Sequence, residues 1–501
     1  MVIDIGEYWF VRLFFRRALG VVYLLAFLGA AKQFVPLLGE DGVVPFREFT
    51  EQVPFRDAPS LFYWVASDRA IRALAWVGVG LSVLAVTGIA GLFGTASSMV
   101  VWGLLWLLYL SFVNVGRIFY SFGWETLLLE TGFLSIFLGG IGTAPPDIVI
   151  WLLRWVLFRV MFGAGLIKLR NDPCWRDLTC LYYHYETQPM PNPVSWYADK
   201  LPKRVHRASV GVHHVVELVV PFFYFAPQPL AAVAGLVTIC YQGWLLLTGN
   251  FAWLNALTIV LAISTFEDAL LAPLAALLPV GSITPIASVA QVRPVTTTPP
   301  SLALQGVVIL VLVVVIVLSY WPVRNLLADS QAMNRSFDPL HLVNTYGAFG
   351  SITRERYELV IEGTQDDEPT DETDWEPYEF EGKPTDPGRR PPQWAPYHLR
   401  LDWQLWFAAM TPQPRRQWFP AFVGKLLEGD EDVRDLFRED PFDGEAPTHV
   451  RVRRYRYEYT TAEERRETGD WWKREFVNDY YGPVPADGSG RRSRPGGFAV
   501  R

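Results

Sequence analysis

Residues 302–321 read LALQGVVILVLVVVIVLSYW, a run of twenty positions without a charge that closes on two aromatics. Crossing a hydrocarbon core takes roughly 20 apolar residues in a helix, and this run supplies them. After Arg324 the long apolar blocks vanish and charges crowd in. The run is therefore the seam between a membrane part and a water-facing part.

Composition agrees with the first half of that reading. Of 501 residues 51% are hydrophobic and only 19% charged, with 20 Trp, which is too apolar for an ordinary soluble chain of this size. Eight further runs before the seam resemble it, near Leu19–Ala31, Ala70–Phe93, Met99–Val113, Trp124–Ile141, Ile148–Ile167, Val210–Phe225, Leu230–Thr248 and Trp253–Leu278. About nine spans are expected, the eighth tilted or broken where Glu267 and Asp268 interrupt it. The opening MVIDIGEYWF lacks the basic region of a cleavable signal, so insertion is expected to use the spans themselves. Arg12, Arg16 and Arg17 stand among aromatics, either along the interface or as snorkelling residues of a plain first helix.

Beyond the seam the period changes from helical to two. RYELVIEG (356–363), WEPYEFEG (375–382), YHLRLDWQLWF (397–407) and THVRVRRYRYEYT (448–460) alternate as strands with one buried face do. RQWFPAFVGKLLEGDEDVRDLF reads as one or two short helices with Gly424 and Gly429 as breakers. The expected organisation is a polytopic α-helical membrane bundle over 1–323, a mixed, β-rich soluble domain over 324–480, and a disordered tail over 481–501. Residues 169–207 form an interfacial loop between spans.

That loop holds the rarest residues. NDPCWRDLTCLYYHYETQPMPNPVSWY (171–197) carries two cysteines, a histidine and many aromatics, and Pro189, Pro191 and Pro193 favour an extended segment. Cys174, Trp175, Cys180, Tyr183, His184 and Tyr185 are candidates for a working surface, such as a lid at the headgroup layer. The alternative is packing that only seals the bundle. Cys174 and Cys180 form a disulfide if the loop faces an oxidising compartment and stay free thiols otherwise. An even number of spans separates loop and soluble domain, so both lie on one side. An odd total sends that side outside if the N-terminus is cytoplasmic, whereas the basic residues flanking the loop argue for a cytoplasmic side.

Charges inside spans persist only with a partner or a task. Glu125 and Glu130 lie in the fourth run, Arg159 and Lys168 in the fifth, and the turn at Pro145 folds the two into a hairpin. Equal depth then pairs Glu130 with Arg159 and Glu125 with Lys168, either to fix helix packing or to handle protons. His213 and Glu217 stand one helical turn apart, a metal-ligand spacing without a third ligand. No nucleophile–base motif, phosphate loop or dinucleotide fingerprint is found, so no cofactor, no metal and no nucleic-acid partner are expected.

Several long blocks carry a resemblance: WETLLLETGFLSIFL, the loop itself, NTYGAFGSITRERYELVIEGT, RRPPQWAPYHLRLDWQLWFAAM and WWKREFVNDYYGP. In this order they closely resemble the lipase maturation factor family. The resemblance implies a multi-pass membrane protein that helps secreted lipases, or similar extracytoplasmic proteins, reach their active fold. It implies the endoplasmic reticulum membrane, or the plasma membrane in a prokaryote, with the soluble part lumenal or extracytoplasmic. The partners would be the client and the bilayer, with Trp394, Tyr397, Trp403 and Trp406 as candidate client-binding residues. A weaker similarity links AGLIKL and the following loop to vitamin K-dependent γ-carboxylase. It implies an intramembrane enzyme with Lys168 as base and His184 as its partner.

Overall fold

The structure, a computed structural model, describes residues 8–277, 297–414 and 418–486. The chain divides into two compact units, taken in turn below.

The first unit comprises Met1–Phe34, Phe46–Arg354 and Gln393–Leu399 and is helical. Its main helices are α1 (Trp9–Leu38), α2 (Asp68–Thr87), α3 (Thr95–Val115), α4 (Gly123–Ser135), α5 (Asp147–Arg170), α6 (Lys203–Leu218), α7 (Leu230–Thr248), α8 (Leu254–Ala262), α9 (Asp268–Leu277) and α10 (Leu302–Leu318). Local chemistry sets their ends. Ser67 caps α2 by accepting the N–H of Ala70, and Gly88 at φ 76 closes it in the left-handed conformation that glycine adopts without penalty. Ser301 caps α10 in the same way through Leu304. The start of α1 is capped from afar, because the carboxylate of Asp268 accepts the N–H groups of Trp9, Phe10 and Val11.

Among the described residues, seven helices are long and apolar enough to cross a membrane: Trp9–Leu38, Asp68–Thr87, Thr95–Val115, Asp147–Arg170, Lys203–Phe225, Leu230–Thr248 and Leu302–Leu327. Those at Asp68–Thr87 and Leu302–Leu327 bury the least, and they turn Trp76, Val77, Leu310, Val313 and Ile316 outward, as helices against lipid do. The expected count of nine is not reached because apolarity is not length. α4 has 13 residues and α8 has 9, each prolonged by a three-residue 3-10 turn. At about 1.5 Å per residue α4 rises about 20 Å, short of a core about 30 Å thick. Both short helices are almost wholly buried and pack on each other. α4 starts beside His398, and the 3-10 turn after it ends where Leu138 accepts from Arg12; α8 follows Trp253, bonded to the carbonyl of Trp124, and the turn after it holds Ser264, which accepts from Arg154. The eighth expected span is broken after Thr265, with Asp268 opening α9, and its end at Leu278 lies outside the described residues.

The second unit comprises Val35–Pro45, Glu355–Pro392 and Arg400–Arg501. Strands β1 (Arg356–Thr364), β2 (Glu376–Pro377), β3 (Glu379–Phe380), β4 (Phe437–Glu439), β5 (His449–Tyr459) and β6 (Trp472–Pro485) form a four-stranded sheet in the order β2-β1-β5-β6 and a separate β3-β4 pair. All pairings are antiparallel, β1 meeting β5 from Arg356↔Tyr457 to Thr364↔His449. One expected strand is a helix: α11 (Arg400–Ala409) occupies most of YHLRLDWQLWF and packs on β1. Leu401, Leu405 and Ala408 also fit helical spacing, and the whole first turn and a half is buried, so alternation there carried no information. In α12 (Trp418–Leu427) Gly424 sits inside the helix, and Gly429, at φ 66, marks the break. β6 runs through Pro485, into the expected tail, whose residues 487–501 lie outside the described residues.

Candidate functional site

The loop after α5 is built from its first residues upward. Asp172 caps the short helix Pro173–Arg176 by accepting the N–H of Cys174, with Pro173 in the first-turn position where a missing N–H costs nothing. The same carboxylate accepts the N–H of Ile352 at 3.1 Å and the guanidinium of Arg354 at 2.8 Å. Burial alone would raise the Asp172 pKa, but these donors outweigh it and hold the group below the usual carboxylate range. The sulfurs of Cys174 and Cys180 are joined. Trp175 donates its indole N–H to the carbonyl of Phe349 at 2.8 Å. Loop and residues 349–354 thus form one structure within the helical unit.

Two further short helices follow, Leu181–Thr187 and Ser195–Asp199, with the prolines confined to the stretch between them. The loop is therefore no extended lid. Cys174, Trp175, Cys180, Leu181 and Tyr185 form a buried cluster with Val210 of α6 and Ile352, and Tyr183 packs at its edge beneath the guanidinium of Arg354. His184 is buried between Phe251 and Phe349, and burial first, then the charge of Lys168, lowers its pKa to about 3. Trp196 is buried too, and of the aromatics expected at the headgroups only Tyr197 is half exposed, at 50%.

Beneath this cap lies a polar chain. The Nζ of Lys168 sits 2.5 Å from Oε1 of Glu217 and 5.1 Å above the ring of Trp175. Tyr241 donates to the same Glu217 oxygen at 2.7 Å, and its hydroxyl lies 3.1 Å from Nδ1 of His213. Lys168 and Glu217 are 5% and 4% exposed, so each stands in for the solvation the other lacks. His213 and Glu217 share this network and hold it through hydrogen bonds. Asp172, Cys174 and Cys180 are the one group among the described residues with metal-ligand proximity, yet its sulfurs are bonded to each other and its carboxylate is taken.

Deeper in the unit, Glu130 and Arg159 meet as a buried ion pair, each 1% exposed. Glu130 also accepts the backbone N–H and side-chain amide of Asn344, both at 3.1 Å, and the hydroxyl of Tyr346 at 2.6 Å. Arg159 donates to the carbonyl of Asn344 at 2.7 Å. Gly163 makes this possible, because a Cβ there would come within 2.4 Å of the carbonyl of Tyr346. Glu125 does not face Lys168: it bonds the hydroxyl of Tyr109 and lies 3.5 Å from Nδ1 of His398. Equal depth fixes height in a hairpin but not the direction around the helix, and Lys168 faces α6 instead.

The residues suggested for client binding separate. Trp394 and Tyr397 belong to the helical unit, where the N–H of Trp394 bonds Asn250 and the hydroxyl of Tyr397 bonds Gln33. Trp403 and Trp406 belong to the strand unit, where Trp403 is 4% exposed and has no free face to offer.

Sequence comparison covers all of these positions. The family description "Lipase maturation factor transmembrane domain" matches residues 10–273, and "Lipase maturation factor C-terminal domain" matches 342–482. Lipase maturation factor 1 of cattle is 41% identical over 96% of this chain and 90% of its own length. The chain belongs to the lipase maturation factor family. Human lipase maturation factor 1 is 40% identical over 96% of this chain and 88% of its own, and human lipase maturation factor 2 is 29% identical over 94% and 82%. No solved structure matches. Within this lipase maturation factor chain, the residues that sequence reading missed are Asn344, Tyr346 and Tyr241. The available signals were the rare block NTYGAFG and a tyrosine inside an apolar run.

Proposed function

We propose that the chain is a membrane-embedded maturation factor that helps secreted lipases, or similar extracytoplasmic proteins, reach their active fold. The observation that carries this reading is the match to lipase maturation factor 1 along nearly the whole chain, both units included. The proposed membrane is that of the endoplasmic reticulum, or the plasma membrane in a prokaryotic source, with the loop side lumenal or extracytoplasmic. Pairing of Cys174 with Cys180 supports that orientation, since such bonds persist in oxidising compartments. Nine passes, counting the two short helices, would leave the two termini on opposite sides. The reading of Lys168 as a base has less support, because its amine is ion-paired with Glu217 and covered by Trp175.

The test is to express the chain in cells that secrete a lipase in inactive form and to measure lipase activity per secreted molecule. A rise over cells carrying an empty vector is expected. Equal activity at normal membrane abundance of the chain would overturn the proposal.

A further inference from the structure

At the start of α1, opposite the loop end, stand three arginines that form no ion pair among the described residues; the nearest carboxylate, Asp268, reaches only Arg12, and through its charge alone. Arg12 donates to the carbonyls of Leu138, Ile141 and Thr143. Arg16 donates to the carbonyls of Ser135 and Gly139 and to the hydroxyl of Ser98 at 2.9 Å, and its guanidinium stands 5.6 Å over Trp102. Arg17 lies against Gly88 and makes no hydrogen bond or ion pair among the described residues. The Nε–H groups of Arg16 and Arg17 are buried without acceptors. Asp268, the acid near this end, spends its oxygens on the N–H groups of Trp9, Phe10 and Val11.

Arg16, held by neutral partners, and Arg17, held by none among the described residues, are costly where water is scarce, because carbonyl dipoles do not cancel net charge. The three arginines line a cavity of about 40 Å³ together with Trp9, Ser98 and Trp102. A single water needs about 10–15 Å³ of such space, so there is room for a group of several heavy atoms. Exposed apolar side chains stand at the same turn: Ile89, Leu92 and Phe93, the last 78% exposed.

We propose that this cavity binds a phosphate group, carried by an anionic membrane phospholipid whose chains lie along Ile89, Leu92 and Phe93. Guanidinium forks match phosphate oxygens in pairs, and an anion supplies both the missing charge and the missing acceptors. Basic pockets between membrane helices take phospholipid headgroups by this chemistry. The source is a lipid and not free phosphate because the cavity adjoins apolar surface at the end of helices long enough to cross a membrane. The site does not depend on the maturation role.

The full-length protein, purified in neutral detergent, is titrated with dioctanoyl phosphatidylglycerol, dioctanoyl phosphatidylcholine or inorganic phosphate while its melting temperature is followed. A saturable rise with phosphatidylglycerol is expected, smaller with the zwitterionic lipid. Arg17→Gln should weaken half-saturation about tenfold or more, as loss of a charge-assisted hydrogen bond does. Arg17→Lys, which keeps the charge but not the fork, should fall between and carries the comparison if the glutamine variant does not fold. An equal rise with inorganic phosphate would overturn the lipid source while retaining the phosphate site. No saturable rise with any ligand, or one unchanged in both Arg17 variants, would overturn the site.

Discussion

The two ends of the helical unit treat positive charge in opposite ways. From the middle of α5 to the loop, each buried cation has a carboxylate of its own, Glu130 for Arg159 and Glu217 for Lys168. At the other end Arg12 and Arg16 rest on carbonyls and a serine hydroxyl, and Arg17 has no hydrogen-bond partner among the described residues. The first arrangement is closed: charge, donors and acceptors all come from the chain, and the chain segments they join are far apart in sequence. The second is open, with cationic hydrogen-bond donors left over. Built-in pairs fix a fold, and the donors left over among the described residues are those of the proposed phosphate site.

Removing charge should therefore have opposite consequences at the two ends. The largest effect is expected at the Glu130–Arg159 pair, since Arg159→Met leaves a buried carboxylate uncompensated at a cost of about 3–5 kcal/mol. The yield of monodisperse protein should collapse, and Glu130→Leu with Arg159→Met together should be milder than Arg159→Met alone. If the double variant is the worse, the pair is not the unit that matters. Next comes the loop staple. Cys174→Ser should lower stability by about 2 kcal/mol through a short ring's closure entropy, read from thermal unfolding in detergent. Cys240→Ser, at an exposed and unpaired site, should leave it unchanged.

A smaller effect is expected from acid. Histidine ordinarily titrates near 6.5, and burial holds His184 down to about 3. Between those values the unfolded chain takes up a proton that the folded chain refuses, so stability is intact above about pH 6.5 and is lost as pH falls toward 3. His184→Gln should flatten that slope; an equally steep slope in the variant would assign the loss to other groups. The smallest effect belongs to the open end: without ligand, Arg17→Gln should change the melting temperature little or raise it, because it removes an uncompensated charge. A loss as large as that of Arg159→Met would erase the distinction between the ends.

Much of this was legible in the sequence, for reasons that residues make plain. Hairpin geometry about Pro145 brings Glu130 to Arg159 because equal depth and a shared face coincide there. It misleads for Lys168, whose direction around α5 is set by α6, an element no depth count includes. The loop stands out by its composition, yet Trp175, Tyr185 and Trp196 face inward: residues suited to a headgroup layer are equally suited to a buried cluster such as the one with Ile352. Asn344 and Tyr346 escaped notice because they lie outside every apolar run, although they complete the site of Glu130. In the strand unit β6 gave little period-two signal, since almost every side chain from Lys473 to Asp479 is exposed. Length was the remaining blind spot, for α4 and α8 are as apolar as spans but are enclosed by other helices.

The ends also carry the proposed orientation, which rests on the disulfide against the basic residues flanking the loop: disulfide and loop toward the oxidising side, arginines toward the cytoplasm, where anionic lipid favours them. Reactivity with a membrane-impermeant maleimide in intact cells tests this directly. In a Cys240→Ser background, Tyr197→Cys at the loop end and Phe93→Cys at the arginine end place one thiol at an exposed site on each. For a plasma-membrane protein, labelling of the Tyr197→Cys variant before permeabilisation and of the Phe93→Cys variant only after it is the expected result. For a protein of the endoplasmic reticulum, cells whose plasma membrane alone is opened should label the Phe93→Cys variant first. The reverse order in either case would contradict the orientation and, with it, a client side at the loop.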